Sequence, residues 1–143
     1  MITIQIDSFE DCIPELKPLF DVHHVELGLF RDLMPLDPDY REYVRRERAG
    51  ELFLCTARRN GTLVAYYCAV VRPGFHYQST LTGTADIYYV SPEFRGKGLA
   101  LPLFRHTERE LKRRGAKVGR RAGRRRRNRL RRRGQESGWV KTR

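Results

Sequence analysis

Residues 52–71 constrain the chain most. Leu52-Phe53-Leu54-Cys55-Thr56-Ala57 and Leu63-Val64-Ala65-Tyr66-Tyr67-Cys68-Ala69-Val70-Val71 are two apolar runs joined through Asn60-Gly61. Asn-Gly is the strongest short-range hairpin signal, because two-residue hairpin loops need φ > 0 at both central positions. The return run is apolar enough to be a central strand, which requires cover on both faces. With a two-residue turn, Cys55 is expected to oppose Tyr66, leaving Cys68 diagonal to Cys55 on the same face at about 7 Å. That is too far for a disulfide, whose Cβ atoms want about 3.8 Å. Cys12, Cys55 and Cys68 all have apolar neighbours and none lies in a CxxC, so three reduced, buried thiols are expected.

The elements around the hairpin follow from periodicity. Ile2, Ile4 and Ile6 alternate with polar residues as in a half-buried strand. Ser8 with Asp11 is a loose capping box, and Ile13, Leu16, Leu19, Phe20, Val22 and His23 mark a helix to about residue 29, roughened by Pro14 and Pro18. A second helix is expected with Asp37 as N-cap and Pro38 at its first position, ending at Gly50. Arg72-Pro73-Gly74 is expected to break the return strand, with a polar loop to about residue 83 and a further strand over 85–90. Leu99, Leu103, Phe104, Thr107 and Leu111 predict an amphipathic helix to Arg114, capped by Gly115. The order of elements gives an α+β, or mixed α/β, domain around one mostly antiparallel sheet flanked by helices.

Charge divides the chain. Residues 1–111 hold 13 Lys and Arg against 16 Asp and Glu, whereas residues 112–143 hold 16 basic side chains against Glu136 alone. One domain is therefore expected over residues 1–118, with an Arg-rich segment over 119–143. No run approaches the roughly 18 to 20 apolar residues of a membrane span. The N-terminus has no basic region followed by an apolar stretch, so a cytoplasmic protein without a secretory signal is expected. His23-His24 and His106 have no Cys or acidic partner at metal spacing, and no metal is expected.

The most informative stretch is Tyr89-Val90-Ser91-Pro92-Glu93-Phe94-Arg95-Gly96-Lys97-Gly98-Leu99-Ala100. A strand ends, and a turn carrying Arg, Gly, Lys and Gly enters a helix N-terminus. Free amides and the helix dipole bind anions there, and glycine allows close approach and φ > 0. Arg95 and Lys97 add positive charge. The stretch reads as a cradle for a diphosphate or as an ordinary basic strand-to-helix turn. It fits neither the Walker loop, since Leu99 follows Gly98, nor GxGxxG, since Leu99, Ala100 and Leu101 follow Gly96-x-Gly98.

Arg95-Gly96-Lys97-Gly98-Leu99-Ala100 resembles the Arg/Gln-x-x-Gly-x-Gly/Ala loop of the GNAT acetyltransferases, and Tyr89 to Phe94 resembles that family's lead-in strand. The resemblance covers about residues 1–115. Pro35 to Tyr40 and Arg72 to Tyr77 are also similar to small members from phage and prophage. The resemblance implies an N-acetyltransferase whose co-substrate is acetyl-coenzyme A and whose acceptor is a small-molecule or protein amine. It implies that the amides of Arg95, Gly96, Lys97, Gly98, Leu99 and Ala100 hold the pyrophosphate and that the Tyr89–Val90 backbone pairs with the pantetheine arm. An amide near Val90 would polarise the acetyl carbonyl. Asp86, four residues before Val90, stands where many members place a base, and an Asp without a role is costly in an apolar strand. A solvated strand-end Asp is the other reading. His76 and Tyr77 either border the acceptor site or lie on the surface.

After Val118 the resemblance implies a further strand, a helix and a closing strand pair. The chain instead has ten Arg in residues 120–133, which cannot be buried unpaired, so the C-terminal strands are expected to be missing or degenerate. Three readings are open: a basic arm whose residues 112–133 bind nucleic acid or another polyanion, a frame-disrupted gene end that would impair activity, or a helix anchored by Leu130.

Overall fold

The computed structural model describes residues 1–28 and 32–120. The Arg-rich segment from 121 onward, and with it most of the polyanion contact expected over 112–133, lies outside the described residues. Strand β1 (Ile2–Asp7) leads into α1 (Phe9–Leu27) and α2 (Tyr40–Arg48). Strands β2 (Leu52–Arg59), β3 (Thr62–Gly74) and β4 (Tyr77–Val90) follow, then a 3-10 turn (Pro92–Phe94), α3 (Ala100–Arg113) and β5 (Val118–Arg120). The sheet runs β1-β2-β3-β4-β5 in space; the first four strands are antiparallel and β5 pairs parallel with β4. This is the α+β architecture the sequence implies, and β5 is the short C-terminal pairing it allows. The domain boundary expected at residue 118 falls inside that strand. Among the described residues no helix is long and apolar enough to cross a membrane.

Helices cover both faces because β2 and β3 are apolar on both. Phe53, Cys55, Ala65, Tyr67 and Ala69 pack with Leu103 and Leu111 of α3. Leu52, Leu54, Tyr66 and Cys68 pack with Phe9, Cys12, Leu16 and Phe20 of α1. Ser8 caps α1 by accepting from the Asp11 N–H at 3.3 Å. Pro14 and Pro18 lie on its exposed side, where water can satisfy the carbonyls they leave unpaired, and the helix continues through both. At the end of α3 the Gly115 amide donates to Lys112 O and the Ala116 amide to Leu111 O, with Gly115 at φ +84°. That is the glycine-terminated helix end expected from sequence.

Three expectations are corrected. The Asn60-Gly61 turn forms with φ of 49° and 83°, but the β2–β3 register shifts between Ala57 and Arg58. Cys55 therefore opposes Tyr67 and Leu54 opposes Cys68, which puts Cys55 and Cys68 on opposite faces of the sheet. All three thiols are buried and free, as expected, but for a different reason. The second helix starts at Tyr40 and not at Pro38, because Asp39 is the residue whose carboxylate accepts from the N3 amide, that of Glu42, at 3.0 Å. Asp39-Tyr40-Arg41-Glu42 is a cap-x-x-Glu pattern in its own right. Finally, Arg72-Pro73-Gly74 does not break β3 ahead of a polar loop to residue 83: β3 runs through Arg72 and Pro73 to Gly74, and β4 begins at Tyr77. The strand absorbs Pro73 at a register shift and pairs on with Tyr77–Thr84 as a polar ribbon, which apolar periodicity cannot reveal.

A partly buried charge cluster ties α1 to β1 and β2. Arg58 donates to Asp7 at 3.0 Å and to both oxygens of Glu15 at 2.8 and 2.9 Å, while Thr56 and Gln5 donate to Asp7 at 2.7 and 2.6 Å. Burial pushes the Asp7 carboxyl up, but the hydrogen bonds from Thr56, Arg58 and Gln5 outweigh it and hold it below the ordinary range. The Arg58 hydrogen bond lowers Glu15 as well. Both folded values lie below the unfolded ones. Their contribution is thus complete above about pH 4 to 5 and is lost as the pH falls through the folded values. Arg58→Ala is expected to cost about 2 kcal/mol at pH 7, by leaving Asp7 unpaired. Its urea midpoint should also fall less between pH 5 and pH 3 than the wild type's; equal acid slopes would exclude the cluster as the source.

Candidate active site

The site is built along the last third of β4. This strand pairs with β3 along most of its length but with β5 only at Thr82–Thr84, so among the described residues its outer edge is open from Ala85 to Val90. The Ser91 N–H donates to the Val64 carbonyl at 2.9 Å, which marks a hydrogen-bonded pair of the antiparallel ladder. Alternation then commits the Tyr89 backbone to Tyr66 and turns the N–H and C=O of Tyr88 and Val90 to the open side. Arg95 Nε accordingly reaches the Val90 carbonyl at 2.8 Å. Of the expected Tyr89–Val90 edge, only Val90 faces outward, and Tyr88 takes the place of Tyr89. The Tyr89 ring is instead buried beside His23, with centroids 4.9 Å apart.

Beyond Val90, the turn through Arg95, Gly96, Lys97 and Gly98 enters α3. Gly96 and Gly98 have φ of 73° and 79°, a region that side chains rarely adopt, and a Cβ at either would meet nothing within 4 Å. Backbone conformation, and not crowding, therefore demands glycine, and the space above the turn is open. Among the described residues no backbone carbonyl accepts from the amides of Gly96 to Leu101, and no side chain caps α3. These amides, together with Leu99 and Ala100 at the helix start, can receive an anion.

Arg95 and Lys97 part company here. The Arg95 guanidinium pairs with Glu26 of α1 at 2.7 Å and lies 5.3 Å from the Tyr89 ring centroid, so it fastens the turn to α1. Lys97 is exposed with no ion pair among the described residues and is the cation left for a phosphate. Glu26 lies 69 residues from Arg95 in sequence, and no local signal could have found that pair.

Asp86 is the extra residue of a β-bulge. Cys68 opposes Ile87 and Ala69 opposes Ala85, so Asp86 has no partner on β3. The bulge makes Asp86 exposed, so the burial cost expected for an Asp in an apolar strand does not arise. Its carboxylate accepts from the Tyr43 O–H at 2.5 Å. A cleft of about 470 Å³ along the β4 edge brings together His23, Glu26, Asp86, Tyr88, Val90 and Arg95. An adjoining, largely apolar cleft of about 580 Å³ lies between the end of α1 and residues 34–38, walled by Phe20, His23, Leu27, Leu36, Tyr43 and Ile87.

His23 borders both clefts. It is buried, with Nδ1 3.3 Å from the Tyr66 hydroxyl, and burial lowers its pKa against the opposing charge of Glu26. Its place in the helical stripe of α1 agrees with its burial, but no local sequence signal marks its position at both clefts. His76 and Tyr77 line neither cleft. They sit at the tip of the β3–β4 ribbon, nine or more residues of strand from Asp86, or roughly 30 Å at the usual rise. The structure therefore does not bring them to the two clefts beside Asp86. Burial pushes the Cys12 and Cys55 thiols up to about 11 and raises Cys68 well above its ordinary value, so none is poised as a nucleophile.

An open-edged sheet running into a glycine turn at a helix start is the arrangement that the resemblance to acyl-coenzyme A transferases implies. The Acetyltransferase (GNAT) family profile matches residues 16–129, and the chain belongs to that family. No curated protein matches it significantly by sequence. Among solved structures it is similar to a ribosomal-protein-alanine N-acetyltransferase from Brucella melitensis biovar Abortus 2308 (21% identity, 87% of this chain and 82% of that one, TM-score 0.64). It is also similar to a predicted acetyltransferase from Clostridium acetobutylicum solved with acetyl-CoA (17%, 84% and 79%, 0.65). A third is an aminoglycoside acetyltransferase from an uncultured soil metagenomic sample, in complex with trehalose (13%, 87% and 78%, 0.67). At these identities the likeness is one of fold.

Proposed function

We propose that the protein transfers an acetyl group from acetyl-CoA to a primary amine by direct attack on the thioester. The observation that carries this reading is the succession on one strand of a bulged carboxylate, an outward amide and a glycine turn with unpaired amides. In this reading the amides of Gly96 to Ala100, with Lys97, bind the diphosphate. Arg95 and Glu26 hold the turn against α1. The outward backbone of Tyr88 and Val90 lines the acyl arm, and the Val90 N–H donates to the carbonyl oxygen as negative charge gathers there. Asp86, directly or through one water, takes the ammonium proton so that the amine lone pair can attack. The C–N bond forms, the attacking nitrogen gives its second proton to solvent, the C–S bond breaks, and the departing thiolate is protonated by solvent. The acceptor body is placed in the apolar cleft beside Leu36 and Tyr43.

The test is release of free thiol from acetyl-CoA in the presence of three probe amines: spermidine, tobramycin and a tripeptide with a free N-terminus. Amine-dependent thiol release is expected. Acetyl-CoA binding without release for any amine would reduce the protein to a binder. From the charge of residues 112–133 we propose, separately, a polyanion contact. RNA retained on a filter should be released steeply between about 50 and 200 mM salt, and deleting 121–143 should weaken retention.

A further inference from the structure

Tyr43 belongs to no motif and lies on α2, away from the glycine turn. Its ring stacks flat on the buried Phe9, with centroids 4.5 Å apart and planes 5° from parallel. Glu47 of the same helix accepts from the Phe9 N–H at 2.6 Å, and Arg48 pairs with Glu10 at 3.1 Å, so α2 is held against the start of α1. The hydroxyl at the end of this fixed ring donates to Oδ2 of Asp86. Burial, and then the neighbouring Asp86, raise the Tyr43 pKa far above the ordinary tyrosine value, so the group stays protonated and can only donate to the carboxylate.

We infer that Tyr43 is a positioning residue that fixes the Asp86 carboxylate between the two clefts. The inference rests on the reading of Asp86 as the base. Asp86 is exposed on a bulge, and nothing else in the described structure hydrogen-bonds its side chain. Without Tyr43 this short side chain would sample several rotamers. With Oδ2 held, Oδ1 is left for the acceptor ammonium or its bridging water. The placement fits that task. Tyr43 walls the cleft proposed for the acceptor, Asp86 lines the cleft along the β4 edge, and both border a third cleft of about 350 Å³. Because Asp86 is exposed, water can replace a lost donor, so what a Tyr43 variant loses is orientation.

Tyr43→Phe keeps the stacked ring and should fold with an unchanged melting temperature. It is compared with wild type, Asp86→Asn and the double variant, using acetyl-CoA and whichever of the three probe amines is turned over fastest. The kcat of Tyr43→Phe is expected to fall about tenfold, as misplacing a reacting group does, with the KM for acetyl-CoA within about twofold. The double variant should be no slower than Asp86→Asn alone, because there is then no base to position. A wild-type kcat in Tyr43→Phe, or a tenfold loss that multiplies in full with that of Asp86→Asn, overturns the inference while leaving the base intact. A wild-type rate in Asp86→Asn overturns both.

Discussion

Asp86→Asn is expected to slow acetyl transfer about a hundredfold or more, the scale of a lost general base. The bulge turns this carboxylate toward α2 and out of the sheet, four residues before the amide that faces the open edge. Asparagine keeps the size and an oxygen for the Tyr43 hydroxyl, but it cannot take a proton. Acetyl-CoA should bind the variant as it binds the wild type, because the cradle proposed for the diphosphate, residues 96–100, does not include Asp86. Retention of the wild-type rate would move the proton elsewhere. His23 is then the next candidate, since it lines the same cleft and burial favours its neutral form.

Gly98→Glu should weaken acetyl-CoA binding at least tenfold, or about 1.4 kcal/mol. Two effects act together. A side chain at φ +79° carries a backbone cost of about 1 to 2 kcal/mol, and the new carboxylate repels the diphosphate at the mouth of the unpaired amides. No neighbour lies within 4 Å of a Cβ there, so the domain should fold and the loss should appear in affinity. Calorimetry with acetyl-CoA, alongside a melting curve, separates affinity from folding. Equal dissociation constants for variant and wild type would remove the cradle from this turn.

The candidate site was legible in the sequence where its parts are local. The glycines of the turn, the helix start that follows and the carboxylate four residues before Val90 are neighbours along the chain, so their spacing alone brings them together. What Asp86 and Arg95 touch was not legible. Tyr43 is 43 residues from Asp86 and Glu26 is 69 from Arg95, and each pair meets only because α1 and α2 fold across one face of the sheet. The distance of His76 and Tyr77 from Asp86 was not legible for a related reason. Proximity in sequence to Asp86 implied a compact loop, whereas Thr-rich strand pairing carries those residues away as a ribbon.

Local sequence rules determined the hairpin, the Ser8 cap, the buried stripe of α3 and the glycine that ends it, because each depends on interactions within a few residues. Pairing register depended on the tertiary structure. One shift beside Ala57 moved Cys68 to the face opposite Cys55, and one at Asp86 turned an expected burial cost into an exposed carboxylate. Side-chain alternation makes such shifts decisive: one residue of slip exchanges the two faces of a strand, and packing against the helices on each face selects the register that buries Tyr66 toward α1 and Tyr67 toward α3.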